Sequence, residues 1–486
     1  MQKTSKKVVG IASGLVGGFG ENGVFKFYGV PYAQAPVGEL RWRAPQPVKP
    51  WKGIKEAQFS PIACQLRPPG PSDSERSLVQ SEDCLYLNIW TRSLEEKMPI
   101  MVWVHGGGFM VGSGSRGEYD GTALARQGVV LVTFNYRLGP LGNLALPGLV
   151  SESKYGLSGN YGIQDQIFAL RWVYDNISNF GGDRDNVTIF GQSAGAMSVA
   201  LLCSSPQAQG LFKNAICQSG GLLCPPREIP YEEALRDGQE FQNVLGVISI
   251  DEMRRVLVEK LVEVARYLTG KDEQPKKLRF APALDDVIIK DQDKTLQEKA
   301  RIPLIIGSNR DEANFFTPMM PPLTIESYKS FVLRNFGDKA PTVLTSFPVN
   351  SDQEALRNLS YLYTCNLFTV PVYRLATMLS DLGGDVFVYR FNRSSPKNSA
   401  MGLGASHGEE IPYVFGNVNG SSYDGTDRDI STTMMKYWVQ FCKTGSPNME
   451  GLTCWPRFSS GINNYLAFEN DVSTRCFTDE AWFNLL

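Results

Sequence analysis

Residues 186–205 read NVTIFGQSAGAMSVALLCSS. Val187, Thr188, Ile189 and Phe190 are β-branched or aromatic and predict a buried strand, while the small and apolar residues from Ala194 onward predict a helix. Between them lies Gly191-Gln192-Ser193-Ala194-Gly195, the pattern G-x-S-x-G. A chain that reverses from strand to helix within one residue needs small neighbours two places either side of the apex, and it lifts the apex side chain clear of the backbone. The pattern recurs as GASHG about Ser406, where the preceding Gly402-Leu403-Gly404 reads as loop. Ser193 is therefore the nucleophile candidate.

A serine hydroxyl at neutral pH needs a base to take its proton. The chain has two histidines, His105 and His407. His105 opens the run His105-Gly106-Gly107-Gly108-Phe109 directly after the apolar stretch PIMVWV, the place of an oxyanion loop whose bare N–H groups approach a developing negative charge. Gly107, Gly108 and Ala194 are the expected donors, which leaves His407 as the base. The third member of such a triad lies between nucleophile and base, after a strand; Asp311 and Glu312 both follow IPLIIGSN, and spacing leaves both open. Gly112–Gly117 fits G-x-G-x-x-G, but it starts several residues past the strand and the next strand ends in Phe134-Asn135-Tyr136 without an acidic ribose ligand. A dinucleotide cofactor is not expected, and neither is a metal.

Working outward, 99–108, 129–136, 214–221, 302–309, 386–392 and 465–470 read as further buried strands, with helical periodicity over 162–177. Near-continuous apolar strands separated by helices predict an α/β fold with a mainly parallel sheet covered on both faces. Residues 225–300 and 318–383 read as helical insertions, so the whole span 1–486 is expected to be a single domain, with 318–383 a helical cap or regulatory insertion. The 48 basic and 50 acidic residues nearly cancel and form no long basic run, which excludes a nucleic-acid partner. No apolar stretch reaches the length of a membrane helix. Lys3, Lys6 and Lys7 ahead of Val8–Gly18 imitate a leader, but the run is broken by glycines and flows into Asn22-Gly23 between alternating apolar residues, a hairpin signal. This predicts a cytoplasmic protein, or a secreted one whose leader has already been removed, present as a monomer or weak homo-oligomer.

Seven segments in order resemble the type-B carboxylesterases, the family that includes the cholinesterases: GVPYAQAPVGELRWRAPQPVKPW, SEDCLYLNIW, HGGGF, TIFGQSAG, GSNRDEANFF, ASHGEEIPYVFG and YWVQFCKTGSPN. The resemblance runs from about residue 8 to 470. It implies the α/β-hydrolase fold and Glu312 as the triad acid, with Ser219 as a supporting partner of that acid. Cys64 and Cys84 match the family's first disulfide, and whether the pair is oxidised depends on compartment. The family's elbow usually carries Glu where this chain has Gln192, which removes a negative charge beside the nucleophile. The loop after Cys64 has no aromatic residue to receive a quaternary ammonium. Phe109, Phe315 and Phe316 are candidates for the substrate pocket, with burial in the ordinary core an equal reading. The function implied is a serine carboxylesterase that acts on small-molecule esters through an acyl-enzyme and needs no cofactor. Two other readings are a dedicated esterase for a bulky natural-product ester, such as a mycotoxin or plant ester, and a non-catalytic binding module.

Overall fold

The computed structural model describes residues 5–57, 60–65, 79–221, 229–269, 278–290, 302–317 and 324–477. Its centre is one large sheet. The strands along its main path are β1 (Ser5–Ile11), β2 (Gly14–Glu21), β3 (Val24–Pro31), β4 (Tyr86–Thr91), β5 (Met98–Val104) and β6 (Val130–Phe134). They continue with β7 (Gly182–Gln192), β8 (Asn214–Gln218), β9 (Leu304–Asn309), β10 (Val386–Phe391), β11 (Asn464–Phe468) and β12 (Val472–Cys476). The spatial order is β1-β2-β3-β4-β6-β5-β7-β8-β9-β10-β11-β12, with short Ile54–Glu56 pairing on β2. From β6 to β11 every pairing is parallel, and the antiparallel strands lie at the two ends. The lysine-flanked apolar run at the amino terminus forms β1 and β2, and Asn22-Gly23 is the turn into β3.

The period-two alternation of side chains along a strand explains why the sheet is apolar on both faces. Ile100, Val102, Val104, Ile189, Ala215, Cys217, Ile306 and Val388 belong to one core cluster. Against them pack helix α1 (Tyr161–Asn176), helix α2 (Ala194–Ser204) and helix α4 (Val370–Asp381), which follows α3 (Asp352–Thr364). The intervening residues Met101, Trp103, Phe190, Ile216, Ile305 and Phe387 form the other cluster, covered by residues 411–415 and helix α5 (Gly425–Thr444). Each such side chain removed from water contributes on the order of 1.5–3 kcal/mol. Helix α2, apolar nearly all round, is buried accordingly.

The parallel register sets the site. Gln192 pairs with Gln218, Gln218 with Gly307, and Asn309 with Phe391. The carboxyl ends of β7, β8, β9 and β10 therefore lie side by side, and the loops that follow them converge on one edge, the usual place for chemistry in parallel sheets. Among the described residues no helix is long and apolar enough to cross a membrane.

Candidate active site

Ser193 stands between β7 and α2 with φ 57° and ψ −124°, a conformation that non-glycine residues avoid and that only a rigid surrounding sustains. Its N–H donates to the Gln218 carbonyl at 2.8 Å and its carbonyl accepts from Met197 at 3.0 Å. The small flanking residues are required by the close approach of β5: a Cβ at Gly195 would run into the Val104 carbonyl, and one at Gly191 into the Gly195 backbone.

His407 and Glu312 are brought together. The imidazole Nδ1 lies 2.6 Å from Glu312 Oε2, and the carboxylate is fully buried. Glu312 Oε1 accepts the Asn309 N–H at 2.8 Å, so the acid is fixed at both oxygens. A carboxylate acceptor at Nδ1 calls for the proton on that nitrogen, which leaves Nε2 unprotonated. Asp311, the alternative acid, turns away: its carboxylate accepts the Ala405 N–H at 2.9 Å and pairs with Arg310.

The expected single line of hydroxyl, imidazole and carboxylate is not continuous. Among the described residues the hydrogen-bonding neighbours of the His407 ring are Glu312 and the Gln192 amide, so the Ser193–His407 bond is not made. Such bonds are commonly long without substrate and close when it binds. Ser219 departs from expectation too. It is fully buried with φ 52°, and among the described residues its hydroxyl has no hydrogen-bond partner, so it does not support Glu312 as the resemblance implied.

The other histidine is structural. His105 is fully buried and stacked on Tyr136 at 4.3 Å, with its Nδ1–H directed at the Gly106 carbonyl. Burial pushes its pKa down to about 3, which keeps it neutral. The loop it opens has Gly107 at φ 116° and Gly108 at φ 63°. Among the described residues the N–H groups of Gly107, Gly108 and Ala194 donate to no protein acceptor.

Around the imidazole stand Phe368 at 4.8 Å, Phe316 at 5.0 Å and Phe315 at 6.2 Å between ring centres. Phe109 is 5% exposed and packs in the core cluster, the second of the two readings open to it. Phe368, from the helical stretch 365–369, escaped the sequence reading because nothing local ties it to residue 407. So did a support chain behind the acid. Asn309 Nδ2 donates to Glu410 at 2.6 Å and to the Ser406 carbonyl at 2.8 Å; Gln218 Nε2 donates to Glu410 at 3.2 Å, and Trp438 Nε1 to Gln218 at 3.2 Å. Burial and the nearby Glu312 charge push the fully buried Glu410 up to about 7. Its place in GEEIPYVFG, directly after the base, was the one available signal.

Cys64 and Cys84 are both buried and are not bonded to each other in this structure. They line one small cavity with Arg41, Trp42 and Arg137. Burial pushes the Cys64 thiol up to about 12 and holds the Cys84 thiol well above the ordinary cysteine range. The aromatic-free loop that follows, residues 66–78, lies outside the described residues, as do 318–323 at the start of the second insertion. Among the described residues no group of three His, Cys, Asp or Glu side chains is placed to hold a metal ion.

The model of the carboxylesterase family matches residues 5–483. The chain is 38% identical to a fumonisin B1 esterase of Sphingopyxis macrogoltabida, covering 92% of this chain and 83% of that protein. It is 37% identical to a para-nitrobenzyl esterase of Bacillus subtilis strain 168, covering 96% of each. A solved PNB esterase superposes with a TM-score of 0.86 at 35% identity over 99% of this chain and 100% of that one. The architecture is thus the α/β-hydrolase fold.

Proposed function

Since the chain belongs to the carboxylesterase family and is a carboxylic ester hydrolase, we propose that it works through an acyl-enzyme formed on Ser193. The observation that carries this reading is the 2.6 Å contact between Glu312 and His407 beside a strained serine elbow. As Ser193 Oγ attacks the ester carbonyl, Nε2 of neutral His407 takes its proton. The N–H groups of Gly107, Gly108 and Ala194 stabilise the tetrahedral oxyanion. His407 then returns the proton to the leaving alcohol, and the carbon–oxygen bond breaks to leave the acyl group on Ser193. Water repeats the sequence and releases the acid. Glu312 holds the ring's tautomer and stabilises the imidazolium that forms in each half. Phe315, Phe316 and Phe368 supply an apolar wall beside the base, so the helical insertion that carries Phe368 serves as a cap over the substrate.

An organophosphonate is the direct test: stoichiometric labelling that maps to Ser193 is expected, with loss of both label and ester turnover in Ser193→Ala. Labelling at another residue, or parental turnover by the alanine variant, would refute the assignment. A protein that takes no label would be a binding module. The likeness to a fumonisin B1 esterase favours a second, narrower reading, a dedicated esterase for a bulky natural-product ester. Rates across acyl lengths and bulky alcohols separate the two, since a dedicated enzyme loses activity on small activated esters.

A further inference from the structure

Gln192 meets the base in a way that none of these steps uses. Its amide nitrogen lies 3.1 Å from Nε2 and 3.4 Å from Nδ1 of His407. In the plane of the ring the two nitrogens point in diverging directions, so a donor aligned with one is remote from the other. A nitrogen this close to both stands over the face of the imidazole. The contact is therefore of the N–H···π kind, and it leaves the in-plane lone pair of Nε2 open to a hydroxyl. The other end of the amide is confined as well. Its Oε1 packs on Gly106, where a Cβ would come within 3.0 Å of it. Gln192 is 5% exposed, its backbone is held in the β7–β8 ladder, and it directly precedes Ser193. One side chain thus spans from the glycine loop to the face of the base.

We propose that Gln192 is a positioning residue for ester hydrolysis, an uncharged clamp that orients the His407 ring toward Ser193 without stabilising the ring's protonated form. This rests on the reading of His407 as the base for Ser193. The groups facing that ring from the elements around it are few. Glu312 lies in plane at Nδ1, and Glu410 interacts with the ring from its own segment. Phe315, Phe316 and Phe368 are neutral. A carboxylate of the same shape at position 192 would place a further anion on the ring face, and an opposite charge within about 4–6 Å favours a charged form by about one to three pH units. A ring that keeps its proton cannot accept the one from Ser193.

The test is the pH profile of kcat/KM on an activated ester for the parent, Gln192→Glu and Gln192→Met, each first titrated with phosphonate on its high-pH plateau. A parent that neither labels nor turns over would fail the esterase reading itself, separately from this one. With a working parent, Gln192→Glu is expected to move the acid limb upward by at least about one unit. Below both limbs its rate then falls at least about tenfold relative to the parent, recovering toward the plateau at high pH. Gln192→Met, similar in length but without an N–H, is expected to leave the limb in place and lower kcat with KM unchanged. Coincident acid limbs in the parent and Gln192→Glu, or an unchanged kcat in Gln192→Met, would overturn the proposal.

Discussion

Glu312 Oε2 and His407 Nδ1 meet at 2.6 Å although 95 residues of chain separate them. The meeting follows from the sheet. β9 and β10 are parallel neighbours in register from Leu304↔Val386 to Asn309↔Phe391, so the loops leaving their carboxyl ends start side by side. Asn309 then ties the two loops together through the Glu312 carboxylate and the Ser406 carbonyl.

Glu312→Gln keeps the shape of the acid but offers an amide whose N–H₂ group can face Nδ1. The ring then settles into the wrong tautomer, with Nε2 protonated and unable to accept from Ser193. The kcat is expected to fall by about 10⁴-fold with KM nearly unchanged and an intact thermal transition. A loss of less than about tenfold would show that Glu312 is not the group orienting the base.

Gly107 and Gly108 offer a paired test of the oxyanion loop. Gly107 has φ 116°, and a Cβ there would run into the Val111 carbonyl, so Gly107→Ala must displace the loop. Gly108 has φ 63° and nothing within 4 Å of such a Cβ. The first substitution is expected to lower kcat by about 10²–10³-fold, the second to cost about 1–2 kcal/mol of backbone strain with a smaller kinetic effect. Equal rates for both variants and the parent would remove this loop from the mechanism.

The legibility of these features in the sequence follows their locality. The β7–elbow–α2 unit is readable because a strand of apolar residues, two glycines and a small-residue helix are contiguous, and each demand is met within a few positions. The Asn22-Gly23 hairpin is readable for the same reason. The choice between Asp311 and Glu312 is not, since adjacent residues after one strand have equal spacing. It is made by where the backbone of 405–407 passes, which gives Asp311 the Ala405 N–H and Glu312 the imidazole. Phe368, Asn309 and Glu410 join the site through pairings between distant strands and helices, and no local periodicity carries that register. The pairing of Cys64 with Cys84 rests on family likeness alone, and their oxidation depends on compartment, which no local pattern of residues carries.

Arg137 and Asp165 form a buried ion pair. Asp165 accepts from the Arg137 guanidinium at 2.7 and 2.8 Å and from its backbone N–H at 3.0 Å, and both side chains are almost fully buried. Removing one partner strands an unpaired charge. Asp165→Ala is expected to cost about 3–5 kcal/mol by denaturant titration, and a double variant replacing both residues with apolar ones should recover part of that loss. A double variant no better than the single one would mean that the shape of the pair, and not its charge, supports the fold.

Glu410 makes stability depend on pH in a direction opposite to that of most carboxylates. It accepts hydrogen bonds from Gln218 and Asn309 in full burial, and burial together with the Glu312 charge raises it from an ordinary 4.5 to about 7. Between those values the folded protein retains a proton that the unfolded chain releases. Stability from this group is therefore complete below about pH 4.5 and is lost as pH rises through about 7. Glu410→Gln removes the titration while keeping the size, at a constant cost in hydrogen bonding because its amide faces two donors. The difference in Tm, variant minus parent, is expected to become more positive from pH 4.5 to 7 and to level off above. Glu409, pushed up to about 7 chiefly by its own burial, titrates in both proteins and cancels from that difference. Melting curves at half-unit intervals measure it, and a difference that stays flat across the window would show that Glu410 is already ionised in the folded protein at its lower end.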